Sequence, residues 1–216
     1  MKDSKVHTKD LIVDAFLEML EDVPFNKITV HDLVNLVGIN RKTFYYHFYG
    51  KSDLVKYVFR STFALHLEAR FNGDRLICDT QIEDDKYRYM PFFTKSEKGF
   101  KQGDFFESMG QYFMGYREFY RKLSTEEVYS NFRRYLLLIY RPALRKDIES
   151  LFQESNCYLN AETLNWLATF YTNNSVLWIF DCVLNSSKNV PKDLMSNCYN
   201  LIYDSVKGTV SAIVNK

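Results

Sequence analysis

Apolar positions recur at helical spacing along most of this chain, and no stretch alternates convincingly as a strand would. Leu11, Ile12, Ala15, Phe16, Met19 and Leu20 form one stripe, with Asp10, Asp14 and Glu18 on the wet side. The pattern predicts a first helix from an N-cap at Thr8 to a stop at Pro24. Leu33, Leu36 and Val37 mark a short second helix. Thr29 stands at its N-cap with Asp32 three positions on, an Asp version of the capping box, and Gly38 ends it by taking positive φ. Asn40 caps a third helix from Arg41, which buries Phe44 and Phe48, four residues apart. A fourth begins after Gly50, with Asp53 in its first turn, and carries Leu54, Val55, Val58, Phe59, Thr62 and Leu65 to about Phe71.

Residues 72–103 carry no readable period. Asn72-Gly73 is a turn signal, and the rest holds some helix or a lid. Helices then resume. Phe105, Met109, Tyr112, Phe113 and Tyr116 predict one from Asp104, and a short one covers Arg117 to Leu123. Ser124 or Thr125 caps a longer helix through Tyr129, Phe132, Leu136, Ile139 and Tyr140, which Pro142 should kink or interrupt before Leu144, Ile148, Leu151 and Phe152. The helix capped by Asn160 is apolar on two sides. Leu164, Leu167, Ala168, Tyr171, Trp178, Ile179 and Cys182 line one, and Trp166, Phe170, Leu177, Phe180 and Leu184 the other. Pro191 opens the last helix, whose stripe includes Leu194, Leu201, Ile202, Val206 and Val210. The fold class is all-α.

Composition narrows the partners. A chain of 216 residues with 46% hydrophobic residues has ample core material, and a net charge of +1 means that any nucleic-acid contact comes from a local patch. Arg41, Lys42, Lys51, Lys56 and Arg60 supply one, against the blander reading of a solvated helix face. Two short helices around a glycine turn, the second apolar on one side and donor-rich on the other, form a helix-turn-helix at about 29–49. Cys78, Cys157, Cys182 and Cys198 are widely spaced and read as reduced thiols in a cytoplasmic protein. The N-terminus has no secretory h-region, and the longest apolar run, about Val176 to Leu184, is too short to span a membrane. His31 and His47 lack a carboxylate or cysteine at ligand spacing, so no metal and no cofactor is expected. No nucleophile elbow, zincin motif or phosphate loop is present, and Asp84-Asp85 and Glu126-Glu127 read as solvated surface rather than a catalytic pair.

The run Thr-Val-x-Asp-Leu, then Gly-Ile-Asn-Arg-x-Thr-Phe-Tyr-Tyr-His-Phe, then Lys-x-Asp-Leu resembles the DNA-binding domain of the TetR family of transcription regulators over roughly residues 5–60. Pro-Phe-x-Lys-Ile-Thr-Val and Asn-Arg-x-Thr-Phe-Tyr are similar to the subgroup of dihydroxyacetone-kinase regulators. The resemblance implies a three-helix DNA-binding domain at 1–52 and a helical effector-binding and dimerisation domain at 53–216. It also implies a regulator, no enzyme, acting as a repressor released from a palindromic double-stranded DNA operator by a small effector. An activator or a protein-partnered co-regulator is the alternative. Arg41, Lys42, Thr43, Tyr45, Tyr46 and Lys51 become DNA contacts, as do Thr29, Val30 and His31. His47 is either structural or a phosphate contact.

For the effector, an aromatic cavity would use Tyr112, Tyr116, Tyr135, Tyr140, Trp166 and Phe170, with Asn173 or Asn174 as polar anchors. The blander reading of each aromatic is core. The surplus apolar face of the last two long helices predicts a homodimer through Leu164, Leu167, Tyr171, Leu177, Trp178, Phe180, Leu184, Ile202 and Val206.

Overall fold

The structure, a computed structural model, describes residues 2–70, 77–78, 88–89, 93–96, 99–102, 105–123, 126–154, 156–186 and 192–214. The expected turn at Asn72-Gly73, the Ser124 or Thr125 cap, Asp84-Asp85, Asp104 and Pro191 lie outside these residues, as do the side chains of Cys78 and Cys198. The chain divides into two compact units. Residues 1–62 with 118–132 form the first, and 63–117 with 133–216 the second.

In the first unit, α1 (Lys2–Asp22) starts six residues before Thr8. Lys-Asp-Ser-Lys contains no helix breaker, so the chain coils earlier than the apolar stripe alone shows. Past Asp22 the Pro24 carbonyl accepts from Lys27 and Ile28, a tight turn into α2 (Val30–Val37). Next come α3 (Arg41–His47) and α4 (Lys51–Arg70). Ile12, Ala15, Phe16, Leu20, Ile28, Leu33, Phe44, Phe48, Leu54 and Val58 are buried, whereas Leu11 and Leu36 of the expected stripes are 42% and 50% exposed and Met19 and Val37 are half-buried. Phe48 packs edge-on against Tyr57, and Phe59 edge-on against Phe132. The short α6 (Arg117–Lys122) places Lys122, whose Nζ donates to the carbonyls of Leu20 and Glu21 at 3.1 and 3.3 Å. A cation there satisfies carbonyls left over at the end of α1.

The second unit is built from α5 (Phe105–Gly115), most of α7 (Glu126–Glu154), α8 (Ala161–Thr172), α9 (Trp178–Asn185) and α10 (Lys192–Val214). Phe63, Phe105, Tyr112, Phe113, Tyr140 and Phe180 form an aromatic core with ring centroids 5.0–5.9 Å apart. The unit also holds two small antiparallel pairs that the sequence did not announce. β1 (Ile77–Cys78) pairs with β2 (Arg88–Tyr89), and β3 (Phe93–Ser96) with β4 (Gly99–Gln102). Strands of two and four residues are too short to show a period. Against expectation, α7 runs through Pro142 without a break. Pro142 and Leu138 are both on the exposed side, so water can serve the carbonyl that proline leaves without a donor.

Between α8 and α9 the helix widens into a π segment, Asn173–Leu177. The cause is local. Thr172, Asn173, Asn174 and Ser175 each turn a side-chain donor back onto the carbonyl four residues earlier, at 2.6–2.8 Å. Four consecutive carbonyls are then shared with side chains, and the backbone N–H groups slip to the next one.

His66, on α4, stacks on Phe63 and meets Tyr112 edge-on. Burial lowers its pKa below the ordinary 6.5; a hydrogen bond with the Ser108 backbone opposes this, and the Arg70 cation adds to the lowering. The unfolded chain therefore binds the proton at higher pH than the folded one, so stability is full above about pH 6.5 and falls as pH drops through the folded value. Denaturant melts between pH 7.5 and 5 should show this slope, and His66→Phe should flatten it; an unchanged slope would mean that His66 does not carry it.

Candidate nucleic-acid interface

The interface is built on two caps. The Thr29 hydroxyl accepts from the Asp32 N–H at 3.2 Å, and the Asp32 carboxylate accepts from the Thr29 N–H at 2.9 Å and from its hydroxyl at 2.6 Å. Those bonds from Thr29 hold the Asp32 carboxyl below its usual pKa. Gly38 takes φ +74°, and its N–H closes α2. An L side chain there would be strained, although no atom crowds the position. Two residues on, Asn40 Oδ1 accepts from the Thr43 N–H at 2.8 Å and starts α3. Phe44 and Phe48 are buried as expected, and this rolls α3 so that its opposite side faces solvent.

That side presents Arg41, Lys42, Tyr45 and Tyr46, all exposed. Arg41 and Lys42 make no hydrogen bond or ion pair among the described residues, so both head groups stand ready for an external acceptor. His47 is half-buried between the rings of Tyr46 and Phe48. Thr43 is half-buried, and its hydroxyl already donates to Asn40 at 3.1 Å. The Thr29 hydroxyl is likewise spent on its cap, and Val30 is half-buried. His31 is exposed and shares a 3.2 Å hydrogen bond with Asn35, one turn along α2. Sequence reading passed over Asn35, although the i, i+4 spacing with His31 was visible. It also passed over Tyr49, which is 94% exposed just beyond α3.

Lys51 sits differently from its expected place as a phosphate contact. Its Nζ donates to the Phe25 carbonyl at 2.8 Å and to the Ile28 carbonyl, and lies 4.5 Å from the centre of the Phe25 ring. Burial lowers its pKa, while the Asp32 carboxylate opposes that. The ammonium thus ties the start of α4 to the turn that delivers Thr29.

The second unit's candidates fall into two groups. Tyr112 and Tyr140 are sealed in the aromatic core, whereas Tyr135 is half-buried and Tyr116 exposed. Trp166 and Phe170 lie outside, stacked on each other, 63% and 46% exposed. Asn173 and Asn174 are exposed, with their amide NH₂ groups bonded to carbonyls of α8. A groove of about 290 Å³ runs beside the π segment, lined by Phe170, Tyr171, Asn174, Trp178, Leu201, Ile202 and Ser205. Of the residues expected at an interface, Leu164, Leu167, Tyr171, Leu177, Phe180, Leu184, Ile202 and Val206 are already buried within the single chain, and only Trp178 is partly open. The Tyr171 hydroxyl shares hydrogen bonds with Ser205 and Thr209 of α10 at 3.0 and 3.3 Å.

Residues 12–58 match the family model described as "Bacterial regulatory proteins, tetR family". The chain is similar to the HTH-type dhaKLM operon transcriptional activator DhaS of Lactococcus lactis subsp. lactis (strain IL1403), 31% identical over 64 residues. That stretch covers 30% of this chain and only about a third, 34%, of the relative's length. A solved structure titled "Dihydroxyacetone kinase operon activator DhaS" shares the fold over 94% of this chain and 97% of its own, with a TM-score of 0.55 at 18% identity. The capped helix-turn-helix thus lies inside the stretch that matches the tetR-family model, and the helical second unit lies within the fold shared with that solved structure.

Proposed function

We propose that the chain is a cytoplasmic transcription regulator that binds a two-fold DNA operator as a homodimer and responds to a small effector. The observation that carries the reading is the outer side of α3, where Arg41 and Lys42 stand exposed and uncommitted on a helix rolled by buried Phe44 and Phe48. A helix so presented suits the major groove, with Arg read against guanine and Lys against base or phosphate. The expectation of a repressor gives way to activation, because the two relatives carry the names of operon activators.

A single helix-turn-helix reads few base pairs, so specificity requires a second copy. The stacked Trp166 and Phe170 on α8 and Leu201 on α10, which is 70% exposed, supply an apolar patch where the second copy would sit. The groove beside them supports the same surface. Effector response would travel along α4, one helix from Lys51 to Arg70 that contributes residues to both units. A ligand changes DNA affinity only by binding one state better than the other.

Gel-shift titrations over a range of salt test the interface. Arg41→Ala should weaken operator binding by about 1–3 kcal/mol and relax sequence preference. Lys42→Ala should lower the salt slope by about 1 if it holds a phosphate. Lys51→Met should weaken binding with the slope intact, since its cation serves carbonyls; a reduced slope would return it to the phosphate contacts. Wild-type affinity and preference in both the Arg41 and Lys42 variants would overturn the interface.

Light scattering tests the dimer. Trp166→Glu combined with Leu201→Glu should bring a two-chain mass down to one chain while circular dichroism stays helical. A wild-type mass of one chain at micromolar concentration would rule out the dimer.

A further inference from the structure

Among the described residues of the second unit, one cation differs from those held in ion pairs. Arg70, Arg133 and Arg145, each about a third exposed, hold the carboxylates of Glu107, Asp181 and Glu149. Arg117, at the start of α6, is half-buried too, but its Nε and Nη2 are cut off from solvent and have no acceptor. The adjacent acid, Glu118, is bonded to Arg121 at 3.2 Å and gives no relief. No ring, carbonyl or carboxylate among the described residues engages the Arg117 guanidinium.

Guanidinium does not shed its proton in proteins, so this charge stays in place. A half-buried cation with two N–H groups out of water and unserved is costly to keep, and paired or apolar replacements are commonly more stable. The two unserved nitrogens are also a matched pair. Nε and Nη2 form the side-on edge of the guanidinium, whose parallel N–H groups take two oxygens of one carboxylate or phosphate.

We propose that Arg117 is the anchor for an oxyanion, a carboxylate or phosphate group carried by the effector, received on its Nε–Nη2 edge. This rests on the effector reading above and names the chemistry of its ligand. The edge is closed to solvent, so binding must rearrange the packing around Arg117. A ligand that satisfies the fork only in the rearranged form has the differential affinity that a switch requires.

Thermal melts of the full chain test the site without DNA. The probes are inorganic phosphate and acetate, each against chloride at equal ionic strength, on wild type, Arg117→Met and Arg117→Lys. At about ten times Kd, phosphate or acetate should raise the wild-type Tm by about 3 °C or more, and the anion that does so identifies which oxyanion fits. Arg117→Met should lose that rise and, in chloride alone, melt above wild type, because it removes an unpaired charge. Arg117→Lys keeps the charge but lacks the fork, and its shift should be smaller; it provides the comparison if the methionine variant folds poorly. Equal shifts in all three proteins, or no shift with either anion in wild type, would overturn the proposal. DNA affinity is then measured with and without the anion. A fork that binds without changing DNA affinity would count against the effector reading under the proposed function, not against the fork.

Discussion

The carbonyl oxygens of Phe25 and Ile28 converge on one ammonium, that of Lys51, with the Phe25 ring beside it. Much of the DNA-binding unit depends on that meeting. The turn after Pro24 has no periodic hydrogen bonding to hold it, yet it must deliver Thr29 to within bonding distance of Asp32. Lys51 supplies the missing constraint from a residue 23 positions away in sequence from Ile28. Partial burial makes the charge costly, and two carbonyl dipoles with an aromatic face offset that cost. The end of α1 and the approach to α2 are thus each served by a lysine, Lys122 on the carbonyls that close α1 and Lys51 on those that precede α2.

The same unit shows what a sequence can say of itself. Thr29, Asp32, Gly38 and Asn40 act through neighbours four residues off or less, and each cap stands where its residue type places it. Phe44 and Phe48, one turn apart, declare a buried side by spacing alone. The role of Lys51 was not legible in this way. A basic residue at a helix start reads as a phosphate contact, and only the fold brings the Phe25 and Ile28 carbonyls to it. His31 with Asn35 sits between the two cases, visible by spacing but given meaning by exposure.

In the second unit legibility falls because the run of α8 and α9 is apolar on two sides. Spacing identified the helices but not which of two apolar sides is covered. Tyr112 and Tyr140 proved to be filling, and Leu177 and Phe180 are buried against their own chain, leaving Trp166, Phe170 and Leu201 as the open surface. Arg117 was invisible for the opposite reason. A lone arginine in a short helix looks solvated, and its burial is a property of packing. The four-residue strands and the N-terminal turns of α1 escaped because neither shows a full apolar period.

The widened turn at Asn173–Leu177 alters the phase of everything after it. A π turn holds about one residue more than an α turn, and one residue is about 100° of rotation about the axis. The faces read from α8 by simple counting are therefore displaced when they reach α9, and Ile179, Phe180, Val183 and Leu184 point inward only because of that displacement. In the language of insertion and deletion, the chain carries one residue that the periodic helix does not need. Its removal would restore ideal geometry and turn α9 outward, so the side-chain bonds of Thr172, Asn173, Asn174 and Ser175 set the orientation of a helix that none of them belongs to.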